Sequence, residues 1–105
     1  IISGGYNIYP REVEDVVAEV PGVAEVAVLG VADPDWGQRV VALYTVREGA
    51  EVAPEAIAEH CQTRLAGYKK PKEVRRLEAF PLSSTGKIAK RVLREQVERD
   101  GGAGA

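Results

Sequence analysis

Val23–Val31 reads VAEVAVLGV and Val40–Val46 reads VVALYTV. Both runs are rich in β-branched residues and too short for an ordinary helix, so each predicts a strand largely buried in a sheet. Between them, Asp33-Pro34-Asp35-Trp36-Gly37 is built from turn formers and predicts a loop. Helical patterns lie on either side of the pair. Upstream, Val13, Val16, Val17 and Val20 recur at helical spacing behind Pro10, with Arg11, Glu12, Glu14, Asp15 and Glu19 on the other faces and Pro21-Gly22 as the stop. Downstream, Pro54 opens a second helix whose inner stripe is Ile57, Ala58, Cys61 and Leu65, closed by Gly67.

Further out, Val74–Leu77 is short and extended in character and predicts a third strand, with Arg75 and Arg76 near the surface. Ile88, Ala89, Val92, Leu93 and Gln96 form the expected inner stripe of a last helix, with Lys90, Arg91, Arg94 and Glu95 outside it. Gly101–Ala105 (GGAGA) has nothing to bury and is expected to fray. At the other end Gly4-Gly5 supplies the backbone freedom for a reversal within Ile1–Pro10, which predicts a small hairpin. The expected fold is α+β: a small three-stranded sheet with flanking helices plus an N-terminal β-hairpin.

The chain has 105 residues, enough for one domain (1–105) with its own core, and 45% hydrophobic against 29% charged residues fits a globular protein. Fourteen Lys and Arg face sixteen Asp and Glu, a formal charge of −2, which argues against a general nucleic-acid or anionic-membrane binder. No apolar run approaches the roughly 18 residues of a membrane span, and no basic-then-apolar leader opens the chain. One cysteine, Cys61, beside one histidine, His60, is too little for a metal cage, so no metal site is expected. These features point to the cytoplasm. The absence of Met and the opening Ile1-Ile2-Ser3-Gly4-Gly5 suggest a piece of a larger protein.

Chemistry on such a domain would need a nucleophile with its base, paired carboxylates in a cleft or a metal cluster, and none is convincing. His60 lies on a core-bearing helix, and Glu12, Glu14, Asp15 and Glu19 lie on a helix surface, where they serve solubility. Ser84-Thr85-Gly86-Lys87 invites comparison with a phosphate loop, but Pro81 stands where the first glycine belongs and Ile88 where the magnesium-binding hydroxyl belongs. What is left is a lysine at the tip of a Ser/Thr/Gly loop just before a helix.

Three segments read together go further. SGGYNIYPREVE (Ser3–Glu14), YKKPK (Tyr68–Lys72) and PLSSTGKIAKR (Pro81–Arg91) resemble, in order and spacing, the C-terminal domain of the adenylate-forming, AMP-forming acyl-CoA synthetases of the fatty-acid or aryl-acid CoA ligase type. The resemblance covers nearly the whole chain. It implies a mobile lid for a larger N-terminal domain that binds ATP, Mg2+ and the carboxylic acid, with coenzyme A as co-substrate. The family's hinge residue would precede Ile1, and this fragment alone is expected to be inactive.

By that resemblance Lys87 is the lysine of the first half-reaction, which makes acyl-adenylate and pyrophosphate from the acid and ATP. Its ammonium can bridge the carboxylate and the α-phosphate, and Ser83, Ser84, Thr85 and Gly86 present it. Acetylation by a protein acetyltransferase would remove that charge. In the second half-reaction the lid turns, and Gly4, Gly5, Tyr6 and Asn7 match the turn lining the pantetheine channel. Asn7 departs from the Arg of acetyl-CoA synthetases and peptide-synthetase adenylation domains, which places the chain nearer the longer-chain or aryl acid ligases. Trp36, Tyr68, Lys70 and Lys72 match positions that hold the nucleotide end of CoA in some aryl-acid ligases, aromatics against adenine and cations on phosphates.

Each reading has a plainer counterpart. Gly4-Gly5 can simply make a hairpin, Trp36 can plug a sheet edge, and Tyr68–Lys72 can be a solvated connector. Two other functions stay open: a lid whose enzyme passes the acyl group to a carrier protein, and a stand-alone binding module using Lys69, Lys70, Lys72, Arg75 and Arg76.

Overall fold

In the computed structural model, which describes residues 1–104 with side chains through Asp100, the two valine-rich runs form a long antiparallel pair. Strand β3 (Val23–Asp33) and strand β4 (Gly37–Val46) pair in register from Asp33↔Gly37 back to Val23↔Val46, with one irregularity between Val23 and Glu25. Strand β5 (Glu73–Arg76) adds to β4 in parallel, giving the order β3-β4-β5. A parallel neighbour needs a crossover. Here helix α2 (Pro54–Arg64) and a single 3-10 turn (Gly67–Lys69) supply it. Ahead of the sheet lie a two-stranded hairpin, β1 (Ile2–Ser3) with β2 (Tyr6–Asn7), and helix α1 (Pro10–Ala18). Helix α3 (Lys90–Gly104) closes the chain. The α+β class, the three-stranded sheet and the N-terminal hairpin are as the sequence led us to expect.

Strand side chains alternate between faces, and the alternation builds two cores. Val28, Val40, Ala42 and Tyr44 face α1 and α2, where Val13, Val17, Ile57 and Cys61 meet them. Ala27, Leu29, Val31, Val41 and Leu43 face the other way, onto Leu93 and Val97 of α3 and onto Phe80. Because both faces are covered, the strands read as continuous apolar runs. The Tyr44 hydroxyl donates to the Val52 carbonyl, and burial pushes its pKa up. Burial likewise raises the Cys61 thiol, in keeping with a core role.

The free edge of β3 is covered by side chains rather than by another strand. Val28 N–H donates to Glu14 at 2.9 Å, and Arg94 donates to the Gly30 carbonyl at 2.9 Å. These contacts occupy the middle of an edge that would otherwise be open to strand addition.

The last helix departs from its expected pattern. It starts at Lys90, so Ile88 and Ala89 precede it, and its buried stripe is Leu93 and Val97, four residues apart. Val92 and Gln96 point outward. The reason is the tight structure just upstream, which consumes Ile88 in a bridge to Leu82 and delays the first helical turn. The helix also continues through Gly104 rather than fraying at Gly101, while Ala105 lies outside the described residues.

Candidate functional site

The Pro81–Ala89 segment is a miniature hairpin. Ser83 N–H donates to Lys87 C=O at 2.7 Å, Gly86 N–H to Ser83 C=O at 2.9 Å, and Ala89 N–H to Pro81 C=O at 2.8 Å. Gly86 has φ +82, the left-handed conformation that a turn of this length demands before the returning arm. Ser83 and Thr85 hydroxyls bond each other at 2.9 Å, and Ser84 is exposed between them. Lys87 therefore stands on the returning arm, three residues before α3, rather than at the tip. It is exposed, and no ion pair ties it to the described residues.

Gly4, Tyr6, Trp36, Tyr68 and Lys72 come together in one patch built from three segments. Gly4 N–H donates to the Trp36 carbonyl at 2.8 Å, and a Cβ on Gly4 (φ +57) would stand 2.9 Å from Trp36 Cε3. Gly4 is thus the seat of the indole. Gly5 (φ +84) has open space around it, so its need is for backbone conformation alone within this chain. Tyr6 stacks on Tyr68 with ring centroids 4.4 Å apart, and Lys72 places its ammonium 4.3 Å from the Trp36 ring centroid. Trp36 is 47% exposed, so part of its ring is accessible beside the Lys72 ammonium. Asn7 sits exposed in β2 opposite Ile2. Lys70 closes the 3-10 turn through its backbone and makes no ion pair with the described residues.

Two supports of this patch escaped the sequence reading. Asp33 Oδ1 accepts from Asp35 N–H at 2.9 Å and from Trp36 N–H at 3.1 Å, an Asx turn that fixes the backbone beneath the indole. The Asp-Pro-Asp run carried that signal. Lys69 bonds Glu12 at 2.8 Å and lies 5.5 Å from the Tyr68 ring, and the Glu12 carboxylate raises the Lys69 pKa. This contact joins residues 57 apart and leaves no local trace in the sequence.

Patch and lysine hairpin lie on opposite faces of the sheet. Ile1 and Ile8, which bracket the glycine turn, pack into the α1/α2 core, whereas Ile88 beside Lys87 packs into the α3 core. Among the described residues no group of three or more His, Cys, Asp or Glu is placed to hold a metal ion, and no helix is long and apolar enough to cross a membrane.

A lysine hairpin and a stacked aromatic patch on opposite faces of a three-stranded α+β domain define a type, and comparison identifies it. Residues 12–87 match the family model "AMP-binding enzyme C-terminal domain", and the chain belongs to this family. It is 54% identical over 96 residues to the long-chain-fatty-acid–CoA ligase FadD13 of Mycobacterium tuberculosis, which takes in 91% of this chain and 19% of the relative. The 2-succinylbenzoate–CoA ligase of Bacillus cereus is 46% identical over 98 residues, 93% of this chain and 20% of that protein. Among solved structures, a Mycobacterium tuberculosis fatty acyl CoA synthetase superposes with a TM-score of 0.87 at 51% identity, covering 95% of this chain and 20% of that one. The chain thus spans about a fifth of the length of these relatives.

Proposed function

We propose that the chain serves as the mobile C-terminal domain of an ATP-dependent, AMP-forming carboxylic acid CoA ligase, acting on a fatty or aryl acid together with a larger N-terminal domain. The observation that supports this best is the placement of two unlike chemical surfaces on opposite faces of one rigid sheet. A domain that turns between two orientations can offer first one and then the other to a single active site.

In the first orientation Lys87 enters. The substrate carboxylate attacks the α-phosphorus of ATP, an oxygen–phosphorus bond forms, and pyrophosphate leaves. Both reactants are anionic, so an ammonium between them offsets their repulsion and the charge growing on the transferring group. Lysine suits this as a mobile point charge. In the second orientation the Gly4-Gly5 turn lines the thiol's path, and the CoA sulfur attacks the acyl carbonyl and expels AMP. The exposed ring of Trp36 takes the adenine of CoA, displacing the Lys72 ammonium that lies over it, and Lys70 and Lys72 meet the phosphates. An aromatic and cationic patch of this kind suits the nucleotide of free CoA rather than a carrier-protein arm, which has none.

The test measures the two half-reactions separately in the full-length ligase. Lys87→Ala is expected to slow adenylation by about 10² to 10³, the usual scale for losing a preorganised charge, and to spare thioester formation from supplied acyl-adenylate. Gly5→Leu should do the reverse. Equal loss of both halves in each variant would refute the alternating-face assignment.

A further inference from the structure

Lys90 is the first residue of α3 and stands three positions after Lys87. Its ammonium donates to Glu14 Oε2 at 2.8 Å and reaches the Val28 carbonyl at 3.4 Å. The same Glu14 oxygen accepts from Val28 N–H at 2.9 Å. One carboxylate oxygen therefore ties α1, the free edge of β3 and the start of α3 together, and the Glu14 side chain is only 19% exposed.

The geometry explains why this tie bears on Lys87. Leu93 and Val97 anchor α3 in the core along one stripe, and Arg75 of β5 pairs with Asp100 at 3.1 Å ten residues beyond the start of the helix, which leaves its first turn to be held by other contacts. Lys90 and Arg94 supply those contacts by reaching the carbonyls of Val28 and Gly30. Four residues of helix rise about 6 Å and two residues of strand about 6.8 Å, so the two cations match two successive outward carbonyls of the edge. Arg94 bonds only backbone. Lys90 alone also reaches α1, the helix that follows the glycine turn directly. The hairpin carrying Lys87 hangs from this first turn, with Ala89 N–H on Pro81 C=O at its base.

We propose that Lys90, held by Glu14, is a positioning residue for adenylation: it fixes the root of the lysine hairpin to the α1–β3 frame, so that Lys87 enters the active site in one orientation. The proposal rests on the reading of Lys87 given above. It assigns Lys90 no contact with substrate.

The experiment compares Lys90→Met, Lys90→Arg, Glu14→Gln and the Glu14→Gln/Lys90→Met pair in the full-length ligase, with Lys87→Ala alongside. A displacement of an ångström in a catalytic group can cost about 10²-fold, so a loosened root is expected to lower kcat of adenylation about tenfold in Lys90→Met. KM for ATP and thioester formation from supplied adenylate should stay within about twofold, since the loss lies in orientation rather than binding. Lys90→Arg should restore most of the rate, and the double variant should be no slower than the slower single one, as expected for two ends of one contact. If both half-reactions fall together in step with the melting temperature, or if Lys90→Met leaves adenylation unchanged while Lys87→Ala slows it, the positioning role is refuted and the Lys87 reading stands. If Lys87→Ala itself spares adenylation, that reading falls and takes the positioning role with it.

Discussion

The aromatic patch and the lysine hairpin differ in how the fold supplies them. The patch draws Gly4, Tyr6, Trp36, Tyr68 and Lys72 from three separated segments and packs them, Tyr6 on Tyr68 and Trp36 between Gly4 and Lys72, before any ligand arrives. The hairpin comes from one continuous stretch, bonds mainly to itself, and presents Lys87 without an ionic partner among the described residues. Each suits its proposed task. A stacking surface contributes affinity only to the extent that its rings are already immobile, since ordering them on binding costs entropy. A cation that must slip between two anions gains from being unpaired, because an internal salt bridge would have to break first.

The comparison breaks most easily at Trp36. Trp36→Ala should lower kcat/KM for CoA by about 5- to 150-fold, corresponding to roughly 1–3 kcal/mol for a stacked base. Pantetheine, which lacks the nucleotide, should be used nearly as before. Gly4→Ala should lower CoA use at least as much, because its Cβ would meet the indole at 2.9 Å and unseat it, and should lower pantetheine use less, through the turn alone. Steady-state kinetics with both thiols decides the point. If Gly4→Ala harms pantetheine as much as CoA, the turn matters for the thiol arm and the pre-packed indole does not.

The fold was legible where one residue type repeated. Val23–Val31 and Val40–Val46 are apolar on both faces of a doubly covered sheet, and runs of that kind read plainly as buried strands. In the last helix Leu93 is buried and Ile88 packs on the core as expected, but Val92 and Gln96 point outward, since periodicity alone does not reveal that a hairpin delays the helix start. Among the candidate site residues, Lys87, the glycine turn and Tyr68–Lys72 came from motifs with local signatures, whereas Trp36 lies outside those motifs and came only from the family resemblance. The contacts of Gly4 with Trp36, Glu12 with Lys69 and Glu14 with Lys90 span 32, 57 and 76 positions and exist only once the sheet brings them together.

On the hairpin side the effects are expected to be smaller and local. Gly86 holds φ +82 with open space around it, so Gly86→Ala meets no clash but carries the left-handed backbone cost of about 1–2 kcal/mol. Adenylation should slow by about tenfold or less, while the melting temperature moves little, because the turn stands outside both core clusters. Gly86→Asn should recover part of the rate, as Asn tolerates that conformation. A large fall in melting temperature would mean that the hairpin is structural after all, and that the contrast with the patch is one of degree.

Lys72→Met carries the smallest expected effect and sharpens the comparison most. The Lys72 ammonium lies over Trp36 at 4.3 Å from the ring centroid, so an adenine stacking on that face would displace it toward the phosphates. Two consequences oppose each other. Losing the ammonium removes a competitor for the ring, an exposed cation–π contact of about 0.5–1 kcal/mol, and also removes a charge that meets the phosphates. The net change should be a rise in KM for CoA of about two- to fivefold at low salt, with kcat and pantetheine use unaltered. At about 0.5 M salt the difference from wild type should nearly vanish, because the phosphate contact is screened, whereas the Trp36→Ala defect should persist. Measuring KM for CoA in both variants across that salt range separates charge from stacking. A Lys72→Met defect as large as that of Trp36→Ala and indifferent to salt would make the ammonium part of the stack itself, and the patch would no longer divide into a rigid aromatic floor and a mobile charge.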